Sequence, residues 1–213
     1  MTLRTLQTGT VPTAQNGHPL RVLLMIGSTR HDRFGPVPAA WVAKQTRARN
    51  DIDLDVVDLA EAGLPAELMG NDPHATLPES VASLSERIQA ADAVIIVTPV
   101  YNRGYPASLK NAIDWFHDEW AATPIGFVSY GGRTGGIEAV EQLRTVFVEL
   151  STMTIRNVLS FPDFWTVFDD DDTPVNPAPI AAAADDFFEQ LLWWARALRA
   201  ARLTEPAEEL TAA

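Results

Sequence analysis

Three short stretches carry the residue types from which a ligand site is made. They are Gly27-Ser28-Thr29-Arg30-His31-Asp32-Arg33-Phe34-Gly35, Thr98-Pro99-Val100-Tyr101-Asn102-Arg103-Gly104-Tyr105-Pro106 and Ser129-Tyr130-Gly131-Gly132-Arg133-Thr134-Gly135-Gly136. The first offers the hydroxyls of Ser28 and Thr29, the guanidiniums of Arg30 and Arg33, and backbone amides ahead of a helix that starts near Pro36. Orphan N–H groups and the helix dipole favour negative charge there, and a guanidinium grips phosphate through two parallel hydrogen bonds. A phosphate suits this loop; an ordinary polar turn with surface arginines is the plainer alternative. The second stretch supplies the amides of Val100, Tyr101 and Asn102, the Asn102 side chain and the aromatic faces of Tyr101 and Tyr105. A flat heterocycle with polar edges needs that mixture, although the same residues also compose a Pro-Gly-Pro turn with a tyrosine packed over it. The third has four glycines in six positions. It is either a flexible connector or a place where backbone at positive φ approaches a ligand closely, and its position right after a buried run favours the second.

Other chemistries find less support. Only His18, His31, His74 and His117 are present, and no loop pairs a hydroxyl nucleophile with an obvious histidine and carboxylate. There is no cysteine, which excludes disulfides, thiolate nucleophiles, cysteine-ligated clusters and most structural zinc sites, so redox chemistry must come from a bound cofactor. Neither GxxxxGK[ST] nor a GxGxxG after a strand occurs, which weighs against ATP hydrolysis and a nicotinamide-type dinucleotide domain. Asp169 to Asp172 form an acidic run, but neighbouring acids point apart, so a solvated loop is expected rather than a metal site.

The three stretches need elements to hold them. Apolar runs at Arg21 to Ile26, Ala93 to Val97 and Pro124 to Tyr130 read as buried strands, and each leads through its loop into a helical pattern. A more polar strand at Leu54 to Leu59 belongs nearer an edge, and a fifth falls at Thr152 to Leu159. Helices are expected to about Ala48, from Pro78 to about Ala91, over Leu109 to Phe116, over Val140 to Leu150 and from Ile180 to Leu203. Strict alternation predicts an α/β fold: a five-stranded parallel sheet of order 2-1-3-4-5 with helices on both faces. In that order the loops after strands one and three meet at the switch point. Residues 1–19 read as a flexible arm, 20–204 as one domain and 205–213 as a C-terminal tail; the long loop 60–77 has the length of a lid or interface element.

Composition narrows the setting. The 213 residues are 46% apolar, enough for one core, and carry 28 acids against 16 bases for a net charge of −12. Such a chain repels phosphate backbones, so nucleic acid is not an expected partner. No run has the length of a membrane span or a signal-peptide core, so no membrane partner is expected and the default location is the cytoplasm.

Taken together, Gly27-Ser28-Thr29-Arg30, Thr98-Pro99-Val100-Tyr101-Asn102 with Pro106-Ala107-Ser108-Leu109-Lys110-Asn111-Ala112-Ile113-Asp114, and Ser129-Tyr130-Gly131-Gly132 resemble the NADPH-dependent FMN reductase family. The resemblance spans about residues 21 to 160. It implies a flavodoxin-like three-layer sandwich that binds FMN, oxidises NADPH or NADH and passes two electrons to a small-molecule acceptor. Quinones, azo compounds, metal oxyanions, free flavin and pathway metabolites are all acceptors within its range. By position it implies that Ser28 and Arg30 hold the FMN phosphate, with Arg33 and Phe34 standing where many relatives have a serine and then an asparagine. Pro99, Val100, Tyr101 and Asn102 would border the ring and ribityl chain, and Ser129, Tyr130, Gly131 and Gly132 would flank the ring's other side. Backbone N–H groups of the Tyr101-Asn102 and Gly131-Gly132 turns would stabilise the charge of the reduced ring, with no residue acting as acid or base. The resemblance also implies a homodimer or homotetramer, which would give Trp115, Phe116 and Trp120 an interface role. A flavodoxin-like electron carrier is the alternative, against which Arg30 in the phosphate loop argues.

Overall fold

The computed structural model describes residues 18–69 and 76–204. The expected arm at 1–19, apart from its last two residues, lies outside the described residues, as do the tail at 205–213 and the centre of the 60–77 loop. Five parallel strands, β1 (Leu20–Ile26), β2 (Ile52–Asp58), β3 (Ala93–Pro99), β4 (Pro124–Tyr130) and β5 (Met153–Phe161), form one sheet in the order β2-β1-β3-β4-β5. The helices are α1 (Pro36–Arg47), α2 (Glu79–Gln89), α3 (Ala107–Asp114), α4 (Ile137–Glu149) and α5 (Pro177–Arg202).

The reason β1 and β3 are continuous apolar runs is that both sheet faces are covered. Val22, Leu24 and Ile26 of β1 and Ile95 and Val97 of β3 pack with Trp41 and Val42 of α1 and with Phe187, Phe188 and Leu191 of α5. The alternate residues Leu23, Met25, Val94 and Ile96 face Val81 and Leu84 of α2, Leu109 and Ile113 of α3, and Leu143 and Phe147 of α4. β2 alternates exposed and covered positions, as an edge strand does.

Several boundaries differ from the sequence expectation, two of them for a clear physical reason. α5 begins at Pro177, three residues early, because prolines at 177 and 179 fall in the first turn, where the missing N–H would have no helical partner. β5 runs two residues further, to Phe161, after a register shift between the Ile125 and Phe127 pairings. The displaced segment is held by Arg144, which donates to Thr154 Oγ1 and to the Arg156 carbonyl, and by Gln190, which accepts the Asn157 N–H at 2.8 Å. As a result, Ser160 and Phe161 stand beside Ser129 and Tyr130 at the edge that carries the three loops.

α3 stops at Asp114 and a 3-10 turn follows at Asp118–Trp120. Phe116 and Trp120 are buried; Trp120 donates its indole N–H to the Ile113 carbonyl and stands edge-on to Phe147 at 5.4 Å. Trp115 is partly buried against the same core and bonds to the Pro65 carbonyl. For Phe116 and Trp120 the expected interface role is corrected: both are spent on the chain's own core. Among the described residues, no helix is long and apolar enough to cross a membrane.

Candidate functional site

The three loops leave the carboxyl ends of β1, β3 and β4, which the sheet order makes adjacent. Gly27 N–H continues the ladder to the Val97 carbonyl at 2.9 Å, and the Gly27 carbonyl accepts the Ser108 hydroxyl of α3 at 2.7 Å. The chain then turns Ser28 inward. Its side chain is fully buried; its oxygen accepts the Arg30 N–H at 3.3 Å and lies 2.6 Å from the Tyr101 hydroxyl. Arg30 lines a cleft of about 440 Å³ with Val100, Tyr101 and Asn102, and its guanidinium makes no ion pair among the described residues. A comparable cavity of about 460 Å³ lies at the other end of the sheet, lined by Arg21, Asp53, Asp55 and Arg87. It is remote from the convergent loops, and Arg87 is committed there to Asp55.

Arg33 and Phe34 go elsewhere. The Arg33 guanidinium pairs with Asp58 at the end of β2, both side chains are mostly buried, and Asp58 also accepts the Ala60 N–H. Its charge therefore binds the first loop to β2 and is not offered to a ligand. The Phe34 ring lies 4.5 Å from Phe164 and 5.5 Å from Tyr130, inside an aromatic cluster.

The second loop is a hairpin-like turn. Tyr101 and Gly104 exchange backbone hydrogen bonds of 2.7 and 3.0 Å, and the two central residues, Asn102 and Arg103, both have positive φ, at 49° and 70°. That is the signature of a type I′ turn, which asparagine accepts easily and arginine does not. Gln142 of α4 donates to the Arg103 carbonyl at 2.8 Å and holds the turn down. The N–H groups of Val100 and Tyr101 are consumed by the carbonyls of Tyr130 and Gly104, whereas Asn102 N–H has no partner among the described residues. So the expected run of free amides is reduced to the turn's tip.

The third loop spends most of its glycines on the fold. A Cβ at Gly131 would lie 2.6 Å from Val100 Cγ1, and Gly135 and Gly136 alone take positive φ, against Ser160 and the Tyr130 backbone. At Gly132 a Cβ would fit without a clash, in ordinary contact with Trp165 Cη2 at 3.9 Å. Gly131 N–H donates to the Phe161 carbonyl, while Gly132 N–H has no partner among the described residues. The Ser129 hydroxyl is buried and donates to the Gly135 carbonyl at 2.7 Å. The side chains of Pro99, Ser129 and Tyr130 are interior, which leaves only their backbone to face the cleft.

Tyr130 is the most strongly perturbed titratable group at this edge among the described residues. It is 3% exposed, and its hydroxyl has no hydrogen-bond partner among the described residues. Burial pushes its pKa far above the ordinary tyrosine value, and the neighbouring Tyr101 adds to the rise. Gly35 N–H, the Ser28 hydroxyl and the Arg33 charge lie near enough to temper it, though no donor is aligned on the Tyr130 oxygen.

One feature escaped the reading of the loops. Asn111 of α3 and Trp115 just beyond it donate to the Pro65 carbonyl at 2.9 and 3.2 Å, so that part of the long motif after Pro106 holds the chain at Pro65. Trp165 is 62% exposed beside Gly132; in sequence it belongs to the aromatic group Phe161, Phe164, Trp165 and Phe168, which reads either as core or interface or as the lining of a substrate mouth. Asp169 of the acidic run accepts the N–H groups of Asp171 and Thr173 in an exposed turn.

Residues 20–166 match the family model described as NADPH-dependent FMN reductase. The NAD(P)H-dependent FMN reductase of Schizosaccharomyces pombe is 36% identical over 152 residues, 67% of this chain and 74% of that one. A quinone reductase of Escherichia coli K12 is 32% identical over 151 residues, 68% of this chain and 76% of that one. Among solved structures, the flavoenzyme NAD(P)H:(acceptor) oxidoreductase FerB of Paracoccus denitrificans superposes with a TM-score of 0.64 at 26% identity, covering 81% of this chain and 97% of the other.

Proposed function

The chain belongs to the NADPH-dependent FMN reductase family, and from that membership we propose that the cleft between its three loops is the flavin site of a reductase acting on quinone-type acceptors. The protein is an FMN-dependent NAD(P)H oxidoreductase; which residues carry FMN, and what is reduced, are the parts proposed.

The residues present fit the cofactor. The observation that carries the reading is the unpaired Arg30 guanidinium in a cleft beside the Ser28 hydroxyl, in a chain whose net charge is −12. A cleft of about 440 Å³ falls in the range of small-molecule sites. Ser28 and Arg30 would hold the phosphate. Val100, Tyr101 and Asn102 would lie along one side of the ring and Gly131 and Gly132 along the other, with the unpartnered N–H groups of Asn102 and Gly132 as the donors left to meet developing negative charge. Arg33, Phe34, Ser129 and Tyr130 serve as supports of these loops. When bound, FMN supplies the two-electron chemistry that no side chain here provides; the protein binds and orients it.

Quinones are the favoured acceptor class because a relative that covers two thirds of this chain is named a quinone reductase and another is named a 2-hydroxy-1,4-benzoquinone reductase. The cytoplasm is the location proposed, supported by the dependence on NAD(P)H, and the assembly proposed is a homodimer or homotetramer, checked by light scattering. The decisive experiment is spectral: the purified protein takes up FMN, turns yellow and is bleached by NADPH alone. A colourless protein that consumes no NAD(P)H would overturn the reading, and a yellow protein bleached only with a separate reductase would be an electron carrier.

A further inference from the structure

Beyond β5 the chain makes a tight, strained excursion. Asp163 adopts φ 43°, in the left-handed region, and its N–H donates to the Gly132 carbonyl at 2.9 Å. Phe164 N–H reaches the Gly131 carbonyl at 3.3 Å, and Thr166 returns both its N–H and its hydroxyl to the Asp163 carbonyl at 2.8 and 2.9 Å. The 3-10 turn Phe164–Thr166 is thus bonded directly to the third loop. Of its aromatics, Phe164 packs inward on Phe34 at 4.5 Å while Trp165 points out, 62% exposed, with its ring edge 3.9 Å from where a Cβ on Gly132 would stand.

That arrangement needs a cause. An indole left in water forgoes burial, and strained backbone persists at sites where it serves a purpose. At Gly132 the Trp165 ring is the one group that a Cβ would touch, at ordinary contact distance, so the exposed indole flanks the backbone that is proposed to border the flavin.

We propose that Trp165 is the specificity-determining platform for the second substrate, its indole face stacking on a planar conjugated acceptor of the quinone class that enters over Gly132. This rests on the placement of the flavin between the Val100-to-Asn102 and Gly131-Gly132 segments. The preference follows from how each substrate is held. NAD(P)H carries a long nucleotide that anchors it away from the ring, so one lost stacking face costs it little. A small quinone has little but its ring faces and carbonyls to bind with, so an aromatic platform supplies a large share of its affinity. Reduction of a quinone to its hydroquinone takes one hydride equivalent, ultimately from NAD(P)H, and one proton from water. Trp165 takes part in neither transfer and acts by binding.

The test uses FMN-loaded enzyme with NADPH as donor and two acceptors, menadione, which is flat, and ferricyanide, which is octahedral and has no face to stack. Trp165→Ala lowers the ratio of kcat/KM for menadione to that for ferricyanide about 3- to 10-fold, mainly through the menadione KM, the fold-change expected from losing one aromatic pair. Trp165→Tyr restores most of the ratio. An unchanged ratio, a failure of tyrosine to rescue, or conversion of the alanine variant to a smaller oligomer by light scattering would overturn the proposal. FMN content and bleaching by NADPH keep the two readings apart. A colourless wild type overturns the flavin site itself, whereas a yellow, bleachable Trp165→Ala variant with an unchanged ratio overturns only the platform.

Discussion

The phenolic oxygen of Tyr101 lies 2.6 Å from the hydroxyl oxygen of Ser28, so the second loop is latched to the first at the residue proposed to meet the FMN phosphate. With Tyr101 as donor, the Ser28 proton remains free for a phosphate oxygen, and hydrogen bonds in such a chain reinforce one another. Tyr101→Phe removes the latch while keeping the ring. It is expected to weaken FMN binding about 5-fold, close to the worth of one hydrogen bond of about 1 kcal/mol. Fluorescence titration with FMN measures this, and an unaltered Kd would remove Tyr101 from the binding network.

Arg30 is exposed, unpaired and beside the cleft. If it grips the phosphate, Arg30→Ala raises the Kd for FMN about 10- to 100-fold, the range for losing charge-assisted hydrogen bonds of about 1.5–3 kcal/mol. Arg30→Lys recovers only part, because an ammonium lacks the two-pronged geometry. Riboflavin, which has no phosphate, separates causes: its affinity should be the same for wild type and Arg30→Ala. A parallel loss for both flavins would place Arg30 elsewhere.

Arg103 occupies the second central position of its turn at φ 70°, where glycine is the residue of least strain. Arg103→Gly is expected to leave stability unchanged or raise it by up to about 1 kcal/mol, the strain relieved being offset by the freer unfolded chain. Arg103→Val, β-branched at the same φ, should lose about 1–2 kcal/mol. Urea unfolding of both variants checks the ordering, and a valine variant as stable as the glycine variant would show that the turn is not strained.

Tyr130 gives an alkaline signature. Its folded pKa lies above the unfolded value of about 10, so the folded state holds the phenolic proton more tightly. That contribution is fully present below pH 10 and is lost as pH rises through the folded value, with a slope of at most about 1.4 kcal/mol per pH unit. Tyr130→Phe should flatten the fall in stability above pH 10. At neutral pH it should cost little or stabilise by up to about 1 kcal/mol, because the buried hydroxyl has no partner to lose. Unfolding midpoints at pH 7 and pH 10.5 decide it; an unchanged alkaline slope would show that Tyr130 is not the group responsible.

What the sequence determined by itself was the frame. Apolar runs such as Ala93 to Val97, punctuated by glycine and proline, encode strands buried on both faces, and their alternation with helical periodicity leaves few sheet orders. The order 2-1-3-4-5 and the convergence of the loops after β1, β3 and β4 followed from that local grammar. Tertiary structure decided which side chains those loops spend on one another. Ser28 and Tyr101 are 73 residues apart, and Arg33 and Asp58 are 25 apart; no local pattern announces either pair, because each forms only when parallel crossovers bring strand ends together. Two cations in one loop thus look alike in sequence, yet Arg33 is consumed by the end of β2 while Arg30 stays free. The same holds for the aromatics, whose spacing gives a helix face but not what covers it. Packing put Trp120 in the core and a bulged β5 carried Trp165 to the rim beside Gly132.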